Sequence, residues 1–359
     1  MIEKKIVEIP DKKLEMLSHT HIIDALAGLG GTIADFLNGK AVDSAIEKAV
    51  DCSCLDNYWF TKENILRALD AIAFQMLDAK KLQDWISRYS FDDCSTRRVG
   101  LIMAGNIPLV GFHDLICVLL SGNIAVIKPS SKDKYLIKAL CGILSDKFPF
   151  LAERIVFTEV KPQNVNAVIA TGSNNSARYF RAEYKNIPLL LRKNRYSMAV
   201  LDGSETYCEL KALGDDIFSY FGLGCRNVSN IFVPENYDWT VFFNAMEKYA
   251  DVMCHQGYND CFRYQKAISA LSGEYYLNNG FVIIRRNNPA FSSIAAINYA
   301  VYENIEQVKT FLDEQNDTIQ CIVSKTACAE NPVYFGHTQK PELTDYADGI
   351  DTVNFLNYS

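Results

Sequence analysis

The pattern of apolar and polar positions divides the chain into two parts. Over residues 1–95, apolar side chains recur at helical spacing, most clearly between Asn64 and Tyr89. From Arg98 onwards, short apolar runs alternate with amphipathic segments. Strands that are separated by helices of this length are typical of a parallel sheet covered on both faces. The pattern therefore predicts an α/β fold that follows a helical lead-in.

The apolar runs place two α/β units one after the other. In the first unit, strands are predicted over 99–104, 123–128, 154–158 and 167–170, with helices over 109–121, over 133–147 and after Ser173. Gly122 would close the helix at 109–121. The second unit begins near Tyr196, with strands predicted over 198–201, 228–233, 281–285 and 318–323 and helices over 207–221 and 239–250.

These units suggest three regions of the chain. We predict a helical lead-in and first α/β domain over 1–195 and a second α/β domain over 196–325. The last region, 326–359, is irregular from Pro332 onwards. We expect it to return across the first domain or to lie at an interface.

Composition excludes several classes of protein. Apolar residues make up 49% and charged residues 22% of the 359 positions, which is ordinary globular usage and not that of a disordered chain. The net charge of −7 argues against a nucleic-acid partner. The most apolar stretch, 107–127, is interrupted by polar residues, so no membrane span is expected. The charged N-terminus lacks the apolar core of a signal peptide, and a cytoplasmic location is the expectation.

Eleven cysteines are present, and the odd number in a long chain does not favour a disulfide framework. The pair Cys52 and Cys54 has no second pair at zinc-site spacing, so no metal site is predicted. Most of the other cysteines lie in apolar patterns and are expected in the core.

Three turns of the first unit are candidates for ligand binding: 105–108, 128–131 and 171–174. Ligands bind beyond the carboxyl ends of parallel strands. The turn at 171–174 also opens a helix, whose N-terminus could hold a phosphate. Each turn alone could be an ordinary helix cap. Their occurrence on successive units of one sheet favours a binding site, although the dinucleotide fingerprint GxGxxG is absent.

A cysteine loop over 222–227 is the candidate for covalent chemistry. Gly222 and Gly224 precede Cys225 in this loop and let the backbone approach a substrate closely. Arg226 would favour the thiolate. On the loop alone, a tight turn with an incidental thiol remains open. Two further sets of side chains have a structural and a functional interpretation: the histidines His113, His255 and His337, and the aromatic residues Phe218, Tyr220 and Phe221, which could line an acyl channel or pack in the core.

The stretch VGLIMAGNIPLVGFHDLICVLLSGNIAVIKPS, at 99–130, resembles the cofactor-domain signature of the aldehyde dehydrogenase superfamily. ATGS at 170–173 is similar to its second cofactor loop, and residues 222–225 are similar to its catalytic cysteine loop. The stretches RKNRYSMAVLDG and DYADGIDTVNFL strengthen a resemblance to one branch of this superfamily, the LuxC-like acyl-CoA reductases. This branch includes the fatty-acid reductase of bacterial luminescence.

This resemblance implies a Rossmann-type cofactor domain followed by a catalytic domain. It implies that Cys225 is the nucleophile that carries the acyl group. Asn106 and the Cys225 N–H would form the oxyanion hole. Lys128 would contact the adenosine ribose of the cofactor, while the pyrophosphate side would be held by a loop of three residues: Thr171, Gly172 and Ser173.

Two departures from the superfamily pattern refine this expectation. Residues 190–194 replace the motif that supplies a water-activating glutamate, and they contain no carboxylate. Without an activated water, thioester chemistry is favoured over release of a free acid. Ser131 stands where NAD-preferring relatives often have a glutamate, and its replacement removes the repulsion of a 2′-phosphate. NADP(H) is therefore the expected cofactor.

The sequence thus predicts an NADPH-dependent reduction of a long-chain acyl-CoA or acyl-protein thioester to an aldehyde. The partner would be acyl-CoA or an acylated protein that resembles an acyl-protein synthetase, and a homo-oligomer is possible. Two alternatives stay open: a non-acylating aldehyde dehydrogenase that produces the free acid, and a non-catalytic subunit that binds an acyl carrier or dinucleotide.

Overall fold

The computed structural model describes residues 18–40, 44–91, 96–172, 174–273, 275–287 and 289–358. The described residues of the first part, 18–40 and 44–91, are mostly helical, as the apolar spacing predicts, and the rest of 1–95 lies outside the described residues. The helices of this part are α1 (His19–Leu37), α2 (Ser44–Asp56), α3 (Lys62–Ala71) and α4 (Ala79–Ile86). They contribute to one large apolar core that also contains the inner faces of the helices over the first sheet.

The periodic stretch from Asn64 to Tyr89 is divided rather than continuous. A π-helical turn, Ile72–Met76, follows α3, and the chain then changes direction before α4. Asp78 starts the new helix, because its carboxylate accepts a hydrogen bond from the Lys81 N–H at 2.9 Å. The apolar spacing continues across this break, so the spacing alone does not mark it.

The first sheet is parallel throughout its described strands, which lie in the order β3-β2-β1-β4-β5. These strands are β1 (Arg98–Ile102), β2 (Ile124–Lys128), β3 (Ile155–Phe157), β4 (Ala167–Thr171) and β5 (Leu189–Arg192). The connecting helices are α5 (Phe112–Leu120), α6 (Tyr135–Lys147), the 3-10 helix Pro149–Arg154 and α7 (Asn174–Glu183). The strand order reverses between β1 and β4, which is where open α/β sheets bind ligands.

The second sheet has the order β11-β6-β7-β10-β9-β8 in the described residues, with only β8 antiparallel to its neighbour. Its strands are β6 (Tyr196–Val200), β7 (Val228–Pro234), β8 (Tyr276–Asn278), β9 (Ile283–Arg286), β10 (Ala296–Tyr302) and β11 (Ile319–Val323). The helices of this region are α8 (Tyr207–Phe218), α9 (Trp239–Met246), α10 (Gln256–Ser272), α11 (Ile305–Glu314) and α12 (Thr352–Tyr358), with 3-10 turns at Ser219–Gly222, Glu247–Cys254 and Ala347–Gly349.

Two predicted helices differ from the structure at the ends that approach the site. α5 begins at Phe112 rather than Leu109, because Leu109 has a left-handed φ of 58° just after Pro108. α8 ends at Phe218 rather than Phe221, because Tyr220 and Phe221 also have positive φ angles. Gly122, with a φ of 72°, closes α5 as predicted.

The C-terminal segment contacts both sheets. Val333 bridges to Val323 at the end of β11, and α12 packs against α5. Between them, the buried Arg192 guanidinium at the end of β5 is 2.7 Å from an Asp114 carboxylate oxygen and donates a 2.7 Å hydrogen bond to the Thr352 hydroxyl. This ion pair joins α5, β5 and the last helix in one buried network.

Ten of the eleven cysteines lie in the described residues, and all ten are free thiols. Four of them are buried, as expected of core residues: Cys117, Cys141, Cys321 and Cys328. Across the described part of the chain, none of the helices has the length and apolar character needed to cross a bilayer.

Candidate active site

The carboxyl ends of β1 and β2 bring two of the predicted loops into contact. Gly105 makes this possible, because a Cβ there would lie 2.6 Å from the Ser130 Oγ. The loop that carries Asn106 therefore packs directly on the loop after Lys128. The Lys128 side chain is half-buried, and its ammonium group has no ion-pair or hydrogen-bond partner among the described residues. Ser131, on the same loop, is exposed.

The third predicted loop follows β4, the other neighbour of β1. Its backbone is held against the first turn of α7, where a Cβ on Gly172 would lie 2.9 Å from the Ser176 Cβ. The Gly172 N–H donates to the Arg192 carbonyl at 3.1 Å. Thr171 is half-buried at the strand end, whereas Ser173 lies outside the described residues and its role stays a prediction. The start of α7 offers the positive end of a helix dipole to a phosphate.

Asn227 shapes the cysteine loop by bonding to backbone groups on both sides of it. Its buried amide nitrogen donates to the carbonyls of Asp216 at 3.0 Å and Ser219 at 2.9 Å, and it is also 3.3 Å from the Ile217 carbonyl. Its amide oxygen accepts the Gly224 N–H at 2.8 Å. Asn227 thus satisfies the last carbonyls of α8 and fixes the turn that presents the nucleophile.

Cys225 is half-buried, with its backbone held from the second sheet. The Ser197 hydroxyl, on β6, donates to the Cys225 carbonyl at 2.9 Å. Burial raises the pKa of the Cys225 thiol to about 11, while the positive charge of Arg226 acts in the opposite direction. Arg226 thus favours the thiolate, as expected from the sequence, but the larger effect of burial leaves the pKa of Cys225 raised.

The contact between Asn106 and the cysteine loop joins the two sheets at the candidate site. The Asn106 amide nitrogen donates to the Leu223 carbonyl at 2.8 Å, across a separation of 117 residues. A Cβ on Gly224 would lie 3.6 Å from the Ile107 Cδ1, so the two loops also touch at the next residue. The amide group carries two hydrogens, and the second remains for another acceptor. Asn106 and Cys225, which the sequence pairs in one site, lie on loops in direct contact.

A carboxylate that sequence reasoning missed reaches this region from the C-terminal segment. Asp348 lies 3.3 Å from the Arg195 guanidinium through one oxygen, and its other oxygen accepts the Lys193 N–H at 3.3 Å. Its negative charge raises the pKa of Cys225, although less than burial does. No local signal marks Asp348 in the sequence beyond its place in the YADGID stretch.

Two of the three histidines, His113 and His255, make structural contacts in the described residues. His113 is held by the Leu343 carbonyl at 2.9 Å, and burial lowers its pKa. His255 caps α10, where its Nδ1 accepts the Tyr258 N–H at 3.2 Å, and its ring stacks on Phe221 with the centroids 4.2 Å apart. His337 is exposed.

The aromatic residues before the cysteine loop divide between the core and a cleft. Phe218 and Tyr220 are buried, and Phe218 packs against Tyr249 and Phe281. Phe221 is half-buried and lines a small cleft with Gly222, which encloses about 350 Å³ including its open mouth. The core interpretation therefore holds for Phe218 and Tyr220, whereas an acyl-channel role for Phe221 stays a prediction.

The geometry can be set beside known proteins. A search among curated proteins gave no match. Among solved structures, the indole-3-acetaldehyde dehydrogenase AldA of P. syringae, in complex with NAD+ and IAA, superposes with a TM-score of 0.64 at 13% identity, over 88% of this chain and 73% of that one. Aldehyde dehydrogenase 21 of Physcomitrella patens has a TM-score of 0.63 at 12% identity, over 88% and 75% of the two chains.

A third similar structure is the glyceraldehyde-3-phosphate dehydrogenase GapN of Methanocaldococcus jannaschii, complexed with NADP. It superposes with a TM-score of 0.60 at 14% identity, over 88% of this chain and 78% of that chain. At such identities these likenesses define the fold, which is that of the aldehyde dehydrogenases. A family model described as acyl-CoA reductase (LuxC) matches residues 59–251, which is more than half of the chain. The chain belongs to this family.

Proposed function

We propose that the protein reduces an acyl thioester to an aldehyde with NADPH, through an acyl group held on Cys225. The observation that carries the proposal is the 2.8 Å hydrogen bond from Asn106 to the Leu223 carbonyl. It supports a shared site for the nucleophile and for the amide that would bind the oxyanion, next to the loop that carries Lys128.

The residues around the first sheet suit a phosphorylated dinucleotide. The ammonium of Lys128, which has no partner among the described residues, is a hydrogen-bond donor for ribose hydroxyls, and the glycine at 172 leaves the backbone open at the start of α7. Ser131 places a hydroxyl rather than a carboxylate on the same loop, which supports NADP(H) over NAD(H). When bound, the cofactor would supply a hydride.

The first step is acyl transfer to Cys225. The sulfur attacks the thioester carbonyl carbon, the C–S bond to the donor breaks, and the departing thiolate takes the proton that the Cys225 thiol loses. This exchange is neutral in protons, so a thiol with a pKa near 11 needs no permanent base if the donor's thiolate is of similar basicity. Asn106 and the Cys225 N–H would stabilise the oxyanion, and one such donor is typically worth about 3–4 kcal/mol in rate.

The second step releases the product. With the hydride that the bound cofactor would supply, the acyl carbon would become tetrahedral, and collapse of this adduct would break the bond to Cys225 and release an aldehyde. The overall reaction consumes one thioester, one NADPH and one proton, and it yields aldehyde, free thiol and NADP+. The protein contributes orientation, exclusion of water and stabilisation of the oxyanion.

The surroundings of Cys225 support thioester chemistry over hydrolysis. Residues 190–194 stand in place of the water-activating motif. One of them, Arg192, forms a buried ion pair with Asp114. Asp348 brings a carboxylate from elsewhere, which is paired with Arg195 and bonded to the Lys193 N–H. Burial raises the pKa of Asp348, and these contacts act in the opposite direction. A non-acylating dehydrogenase that uses Asp348 to activate water is the competing function.

A product assay separates the two functions. Acyl-CoAs of graded chain length are incubated with NADPH or NADH, and aldehyde, acid and free thiol are quantified. The proposal predicts aldehyde and free thiol in equal amounts with the oxidation of NADPH, and loss of turnover in Cys225→Ala but not in Cys208→Ala, which alters an exposed cysteine. Rapid conversion of an added aldehyde and NADP+ to free acid, without any thiol acceptor, would contradict it.

A further inference from the structure

The C-terminal segment crosses the end of α8 beside the cysteine loop, where a single carboxylate holds it. One oxygen of Asp216 accepts the Gly336 N–H at 2.7 Å. The other oxygen accepts both the Thr338 N–H at 2.9 Å and the Thr338 hydroxyl at 2.8 Å. Asp216 and Thr338 are both fully buried, so these three bonds are shielded from water.

The segment that Asp216 holds is bonded in turn to the residue after the nucleophile. The Arg226 Nε donates to the Thr338 carbonyl at 2.6 Å, and its guanidinium lies 3.8 Å from the Asp345 carboxylate. The Arg226 side chain is largely buried, at 14% exposure. A guanidinium fixed in this way has little freedom to leave its position beside Cys225.

We propose that Asp216 is a positioning residue: through Thr338 it sets where the Arg226 guanidinium lies beside the Cys225 loop. The catalytic importance of this link rests on the proposed function, whereas the contacts that form the link do not. Asp216 is ten residues from Arg226 in the sequence and Thr338 more than a hundred, so the link exists only in the folded chain. The positive charge of Arg226 would then be available to stabilise the Cys225 thiolate at the moment of attack.

The charged groups around this link are few in the described contacts. Burial raises the pKa of Asp216 to about 6, the three hydrogen bonds oppose the shift, and the neighbouring Asp215 carboxylate adds to it. Apart from burial, which raises it, the pKa of Cys225 is lowered by the charge of Arg226 and raised by Cys321 and Asp348. Above about pH 7, Asp216 is therefore a carboxylate that accepts at both oxygens, an arrangement that an amide cannot reproduce.

The test is the rate at which iodoacetamide alkylates Cys225, followed by peptide mass spectrometry from about pH 7.5 to pH 9, where the thiolate fraction limits the rate. The exposed Cys208 in the same sample is the internal reference. Asp216→Asn should slow the alkylation of Cys225 roughly tenfold relative to Cys208 at every pH, as expected when a nearby cation is no longer held in place. Asp215→Asn, on the same helix but half-exposed, is the matched control and should leave the ratio unchanged.

Two further variants show whether Asp216 acts through Arg226. Arg226→Met should slow Cys225 by a similar factor, and the double variant Asp216→Asn with Arg226→Met should be no slower than Arg226→Met alone. If Asp216→Asn does not fold, Thr338→Val, which removes the hydroxyl contacts with Asp216 and Gln339 but keeps the backbone bonds, should still slow Cys225 by a smaller factor. An unchanged or faster rate in the folded variants, or additive effects in the double variant, would overturn the proposal. Because alkylation uses no substrate, the result is independent of whether acyl-CoA is reduced.

Discussion

Replacing the buried Asp133 by asparagine is expected to change how the stability of the protein depends on pH. One Asp133 carboxylate oxygen accepts the Leu109 N–H at 2.6 Å, and the other has no partner among the described residues. Leu109 has a positive φ, so this bond holds the turn that follows Asn106 in an unfavourable backbone conformation. Burial raises the pKa of Asp133 from 3.8 to about 7, against the opposing effect of the Leu109 hydrogen bond.

The sign of the effect follows from proton binding. Between about pH 4 and pH 7 the folded chain keeps a proton on Asp133 that the unfolded chain has lost, so this carboxyl favours folding most at low pH. Its contribution falls as the pH rises and is lost once the pH passes the folded pKa. The difference between the pKa values of 3.8 and about 7 corresponds to roughly 4 kcal/mol of folding free energy, at ~1.36 kcal/mol for each pKa unit.

The measurement is the free energy of unfolding in urea, for wild type and Asp133→Asn, from about pH 5 to pH 8. The difference between the two proteins should change by roughly 2.5 kcal/mol over this range, with wild type losing stability relative to the variant as the pH rises. Asp146→Asn, at an exposed position of α6, is the control and should follow wild type at every pH. A difference between wild type and Asp133→Asn that is constant with pH would refute the reasoning.

Three other substitutions test separate parts of the account. Ser131→Glu should raise the KM for NADPH about tenfold or more and change the KM for NADH little, because a carboxylate would repel the 2′-phosphate. Ser131→Ala is the control. Equal effects on the KM values of both cofactors would argue against the position assigned to Ser131. Asn106→Ala should lower kcat about 100- to 1000-fold by removing an oxyanion donor, and a loss expressed only in KM would be the contrary result. Asp114→Ala leaves the buried Arg192 charge without its 2.7 Å partner and should cost about 3–5 kcal/mol in urea unfolding, whereas a change below about 1 kcal/mol would show the pair to be dispensable.

Much of the fold follows from local pattern. Parallel strands are buried on both faces, so β1, β2 and β4 read as continuous apolar runs and were predicted near their observed bounds. The strands β5, β8 and β10 were not predicted. β5 and β8 have only four and three residues, and β10 ends in half-buried residues outside any uniform apolar run.

The breaks in the helices could not be predicted in the same way. Leu109 and Tyr220 both adopt left-handed backbone conformations that tertiary contacts hold, the first through Asp133 and the second through a 3.3 Å bond from its N–H to the Asn64 amide oxygen. Neither residue has a local preference for that conformation. The partner in each case is distant in sequence, so the pattern around Leu109 or Tyr220 alone predicts a longer helix.

The candidate site divides along the same line. Asn106, Lys128 and Cys225 stand in motifs that can be read from one stretch of sequence. The groups that hold the Cys225 loop in place cannot be predicted from one stretch of sequence. Ser197 contacts Cys225 from the second sheet, and the link from Asp216 to Thr338 spans 122 residues. The effect of Arg226 on Cys225 can be predicted because the two residues are adjacent in the sequence, whereas the burial that outweighs it cannot.

The central claim is that Cys225 carries the acyl group, and trapping that group tests it most directly. The protein is incubated with acyl-CoA in the absence of NADPH, quenched in acid and analysed by peptide mass spectrometry. The account predicts the mass of one acyl group on the peptide that contains Cys225, its disappearance on addition of NADPH, and the release of an equal amount of aldehyde. An acyl group found only on another residue, or aldehyde formed at the normal rate by Cys225→Ala, would contradict the account.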